Sequence, residues 1–103
     1  MAGLGRAVSE GKNNERFLSV FSVCGPAEPS HYAGALALNG HLTYGSLSIR
    51  HVLGAPMFVM SRTFSRDRVR ASELRDAIME IARRSDQIEQ QYSRNHEKFV
   101  SRQ

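Results

Sequence analysis

The chain has 103 residues, a formal net charge of +4 and a sequence pI near 9.8. That length allows one domain, which buries about two thirds of its unfolded surface. Apolar residues make up 41% and charged residues 23%, an ordinary globular balance that excludes wholesale disorder.

The longest apolar run, Val52 to Met60, is about half a membrane span and contains Gly54 and Pro56. The first residues lack the apolar central stretch of a secretory leader. Cys24 is the one cysteine, so an intrachain disulfide and cysteine-based zinc modules are excluded. The expectation is a soluble protein, cytoplasmic by default, with no cofactor, no metal and no membrane span.

Residues 1–14 are small, polar and glycine-containing, and read as a flexible tail before a β-rich head over 15–66. Phe17 to Val23 is rich in aromatic and β-branched residues and reads as a half-buried strand. Gly25, Pro26 and Pro29 end it. Asn39-Gly40 has the composition of a two-residue type I′ turn, which predicts a hairpin with Leu36 and Leu38 before it and Leu42 and Tyr44 after it. Ser46 to Val52 alternates, with Leu47 and Ile49 on one side and Ser46, Ser48 and Arg50 on the other. Gly45 reads as a bulge before it. Gly54-Ala55-Pro56 reads as a turn into a last strand, Met57 to Phe64. These elements predict a small antiparallel sheet of about four strands.

The period then changes. A long helix is expected over 67–100, because Ala71 to Phe99 contains neither glycine nor proline. Ser72 is a candidate N-cap and Asp67 its rival. Ala71, Leu74, Ile78, Ile81, Ser85, Ile88, Tyr92, Asn95 and Phe99 follow an unbroken 3-4 spacing, the seam of a coiled coil. Thirty helical residues span about 45 Å. A short strand of five or six residues spans about 17–20 Å. The distal half should therefore project and meet a second copy. Leu74, Ile78, Ile81, Ser85, Ile88, Tyr92, Asn95 and Phe99 are the expected oligomerisation residues, with another protein as the alternative occupant. The fold class is thus α+β: a four-stranded antiparallel head followed by one long amphipathic C-terminal helix.

The charge is uneven. Residues 71–103 are neutral, whereas Arg62, Arg66, Arg68 and Arg70 face only Asp67 within residues 61–70. Arginine suits bidentate contact with phosphate, so this cluster is the candidate nucleic-acid or anion site. Arg66 and Arg70 would share a face if the helix began early. No zinc-finger, RNA-recognition or helix-turn-helix pattern accompanies the cluster. His31, His41 and His51 recur every ten residues without a completing carboxylate or thiol. Cys24 ends an apolar run, the usual place of an inert buried thiol. No phosphate-binding loop, nucleophile-elbow or metalloprotease motif is present. Arg62 to Ser65 and Ala82 to Ser85 match short basophilic-kinase patterns. The expected function is a non-enzymatic adaptor or regulatory protein that self-associates as a dimer or higher oligomer. The alternative is an arginine-dependent RNA- or DNA-binding oligomer.

Overall fold

The computed structural model describes residues 4–11 and 14–100, with side chains as far as residue 91. The order of elements is β1 (Leu4–Glu10), β2 (Arg16–Pro26), a single 3-10 turn at Pro29–His31, α1 (Tyr32–Asn39), β3 (Ser46–Val52), β4 (Ala55–Ser65) and α2 (Ala71–Val100). The strands form one antiparallel sheet in the order β1-β2-β4-β3. A four-stranded antiparallel sheet followed by a long C-terminal helix is the expected α+β arrangement, but its strands are partly different ones.

The amino terminus is the first correction. Residues 4–10 form β1, paired along their length with β2 from Leu4 opposite Ser22 to Glu10 opposite Arg16. A polar, glycine-containing stretch docks because it needs no core of its own. Gly5 lies directly under the Phe21 ring, where any Cβ would collide with the ring carbons. An aromatic side chain over a cross-strand glycine covers that backbone and fixes the register.

The second correction lies at Asn39-Gly40, where no hairpin forms. Tyr32–Asn39 is helical, and Gly40 stays right-handed with φ −67°. The segment YAGALALN is dominated by Ala and Leu, good helix formers, and Ala35 anchors it in the core. The type I′ conformation occurs at Leu53-Gly54, with φ 53° and 82°, between the paired ends Val52 and Ala55. Gly54-Ala55-Pro56 is therefore not the turn; Ala55 and Pro56 already belong to β4. Gly45 lies in the bend before β3 and not in a bulged strand; the register shift falls between Val23 and Gly25 of β2.

The third correction is the start of α2. Its first turn closes with Leu74 N–H donating to the Arg70 carbonyl at 2.9 Å, so Arg70 occupies the capping position, not Ser72 or Asp67. Residues 65–69 form a turn in which Arg68 and Val69 donate to the Ser65 carbonyl. Arg66 and Arg70 therefore do not share a helix face.

The core lies between α2, α1 and one face of the sheet. Val20, Cys24, Leu47, Phe58 and Met60 come from the strands, Ala35 from α1, and Ile81 and Ile88 from α2. Tyr32 meets the Phe58 ring edge-on, with centroids 6.3 Å apart. Burial of such side chains stabilises by about 1.5–3 kcal/mol each.

Candidate functional site

The expected oligomerisation seam divides in two. Ile81, Ser85 and Ile88 are buried against this chain's own sheet, and Leu74 and Ile78 are half-buried beside them. Tyr92, Asn95 and Phe99 carry side chains outside the described residues. The sheet covers the seam as far as Ile88 because its strands are longer than the five or six residues expected. β2 and β4 have eleven residues each. At about 3.3 Å per residue an eleven-residue strand reaches roughly 36 Å. Leu74 to Ile88 needs only about 21 Å of helix.

Ser85 has a partner within the chain. Its hydroxyl hydrogen-bonds Ser22 Oγ at 2.7 Å and lies 3.2 Å from Cys24 Sγ. A polar seam position is thus satisfied by β2 rather than by a second helix. The same burial closes the kinase pattern at Ser85, which is 1% exposed. Burial pushes the Cys24 thiol above its ordinary value. The negative charge of Glu89 adds to that, against hydrogen bonds to Ser85 and the Met60 backbone. A thiol held in its neutral form is a poor nucleophile.

Glu80 makes a contact that the sequence did not suggest. One carboxylate oxygen accepts the Tyr44 and Gly45 N–H groups at 2.7 and 2.8 Å, and the other accepts Thr43 N–H at 3.0 Å. Partial burial alone would raise its pKa, but these bonds outweigh that and hold the carboxyl below its usual value. The contact ties the α1–β3 loop to the first third of α2.

The arginines gather at one end of the sheet. Arg66 donates its N–H to the Arg16 carbonyl at 2.9 Å, which adds Arg16 to the group. Arg16, Arg62, Arg66, Arg68 and Arg70 are all exposed, and the Arg62 guanidinium lies 5.3 Å from the Phe64 ring centre. Among the described residues no group of three or more His, Cys, Asp or Glu side chains is placed to hold a metal ion, and no helix is long and apolar enough to cross a membrane.

The outer edge of β3 is a third candidate. Asn39 pairs with Leu47 as a strand would, donating from Nδ2 to the carbonyl at 3.0 Å and accepting its N–H on Oδ1 at 2.6 Å. The Leu47 backbone therefore points away from β4. The two-residue turn sets the same parity, because Val52 and Ala55 form the bonded pair that closes it. Ile49 and His51 then also direct N–H and C=O outward, and no described group takes them. Ile49 is exposed, as are Tyr32 and Leu36, one turn apart on α1. Ile49 lies opposite Phe58, whose ring Tyr32 touches, so these apolar side chains flank the free edge.

Comparison with protein-family models, with curated proteins and with solved structures finds no match for this chain.

Proposed function

We propose that this protein is a small non-enzymatic adaptor of the cytoplasm that self-associates through the distal part of its C-terminal helix. The observation that carries the reading is the length of α2. The helix continues to Val100, twelve residues past Ile88, the last position whose described side chain is buried against the sheet. Those residues add about 18 Å of helix. The 3-4 spacing places Tyr92, Asn95 and Phe99 on the continuation of the same stripe, so apolar residues recur past the last described buried position. The buried, neutral Cys24 thiol fits a protein without nucleophilic chemistry.

Light scattering coupled to size exclusion tests this. The expected result is a dimer or larger species that resists high salt and becomes a monomer with Tyr92→Asp and Phe99→Asp. A wild-type monomer at micromolar concentration overturns it. Ile88→Asp is unsuitable, because Ile88 belongs to the intramolecular core.

A second reading, arginine-dependent nucleic-acid binding, is favoured by Arg16 joining Arg62, Arg66, Arg68 and Arg70 at one end of the sheet. It predicts affinity that falls by about one log–log unit with salt per phosphate contact. Replacing Arg66, Arg68 and Arg70 by alanine should abolish it. A labelled RNA or duplex showing no salt-sensitive shift would remove this reading.

A further inference from the structure

We propose that the free edge of β3 binds an extended, acidic segment of another protein, which adds to the sheet as a fifth strand beside Ile49 and His51. This site is separate from the distal helix, and neither proposal depends on the other.

Three observations carry it. The first is the backbone. Ile49 and His51 present N–H and C=O groups that no described residue takes, along an exposed edge, a template for strand addition. At Leu47 the same template is already occupied by the Asn39 amide, which limits how far an added strand can run. The other edge, β1, carries Arg6 and Glu10, and charges of both signs on an edge discourage pairing.

The second is the side-chain lining. Ile49 is 44% exposed and Leu36 71%, with Tyr32 beside them. Leu53, at the hairpin tip, is fully exposed and holds φ 53°. A type I′ turn prefers Asn or Gly there, and a left-handed leucine is strained. The fold gains nothing from that leucine, so its place is explained by contact with a partner.

The third is charge. No Asp or Glu occurs from Pro29 to Arg66, while Arg50 and His51 lie on β3 itself. An incoming strand with apolar residues against Ile49 and acidic residues against Arg50 meets complementary groups on both of its faces.

A second copy of β3 fits poorly. Two-fold antiparallel pairing centred on Ile49 places His51 against Leu47, whose edge groups Asn39 has taken, and leaves one bonded pair. Centring on Arg50 gives two bonded pairs but sets Arg50 opposite its own copy, about 4.5 Å away at Cα. Centring on His51 again leaves one bonded pair, because Ile49 would face the turn.

The test is a capped heptapeptide of alternating Val and Asp, titrated into the isotopically labelled full chain and followed by amide NMR and fluorescence anisotropy. Saturable binding should shift the Ile49 and His51 amides and slow their exchange. Affinity should fall ten-fold or more when alternate peptide nitrogens are methylated, a change that leaves the protein untouched. Arg50→Glu should lower affinity for the Asp peptide and raise it for the Val–Lys counterpart. Ile49→Pro should weaken binding similarly, since that N–H faces outward and the ladder to β4 does not use it. Equal binding of the methylated peptide overturns the proposal. So do shifts confined to β1, or no saturation at millimolar peptide. Concentration-dependent shifts of Ile49 and His51 without peptide would instead assign the edge to a second copy. Loss of mass on Tyr92→Asp with peptide binding intact separates this site from the helix contact.

Discussion

The hydroxyls of Ser22 and Ser85 hydrogen-bond at 2.7 Å in the centre of the contact between β2 and α2, sixty-three residues apart in sequence. Both side chains are 1% exposed. Removing either hydroxyl alone leaves its partner buried with a lost bond, whereas removing both leaves a small apolar gap. Ser85→Ala and Ser22→Ala should each destabilise by about 1–2 kcal/mol, and the double variant by clearly less than their sum. Urea unfolding of the four proteins measures the coupling; strict additivity would mean that the pair contributes nothing as a pair.

Glu80 gives the fold a pH dependence with a defined sign. Its carboxyl is held below the usual value by three loop N–H groups, so the folded state prefers the ionised form. That contribution is fully present above the unfolded pKa, about 4.3, and is lost as pH falls through the lower folded value. Glu80→Gln should destabilise the protein at pH 7 by about 1 kcal/mol, a modest figure because solvent screens the group. The difference between wild type and variant should begin to narrow below about pH 4. Thermal unfolding of both proteins from pH 3 to 7 checks it, and a difference that widens on acidification would reverse the assignment.

Leu53 should be improvable. Leu53→Asn places a residue that tolerates positive φ at the first central position of the β3–β4 turn, next to Gly54. A gain of about 1 kcal/mol is expected, which raises Tm by roughly 4–8 °C in a domain of this size. Calorimetry would show it. Peptide binding at the β3 edge should weaken in the same variant, because the leucine side chain is gone.

Cys24 should be silent towards thiol reagents in the native state. It is 1% exposed and its pKa is raised chiefly by burial. Alkylation should follow the unfolded fraction across a denaturant series. Stoichiometric labelling within minutes in native buffer would show that the β2–α2 contact opens locally.

Much of the fold is legible in local pattern. The aromatic, β-branched run at Phe17–Val23 became the middle of β2, the alternation at Ser46–Val52 became β3, and the change of period after residue 70 became α2. The errors share one cause. Asn39-Gly40 has turn composition, but its asparagine serves as a surrogate strand for Leu47, a use that depends on where α1 packs. The real turn, Leu53-Gly54, carries an unfavourable leucine and so gives half the usual signal. Residues 4–10 lack apolar patterning and become a strand only because β2 offers a free edge with Phe21 above Gly5. Glu80 looks like any solvated helix carboxylate until the loop at 43–45 is brought to it.

By itself the sequence determined the class of the fold, the presence of one long C-terminal helix and the position of the excess charge. Each depends on neighbours within a few residues: the side-chain period, the absence of glycine and proline over 71–99, and four arginines within nine positions. Only the tertiary structure decided what covers the helix stripe. A 3-4 spacing says that one face must be buried and is silent about its partner. Two eleven-residue strands, Ser22 opposite Ser85, and Ile81 beside Met60 turn that face inward as far as Ile88. The same packing occupies Leu47 and leaves Ile49 and His51 open, because the pairing parity of a strand is set by its turn and its neighbour rather than by its own residues.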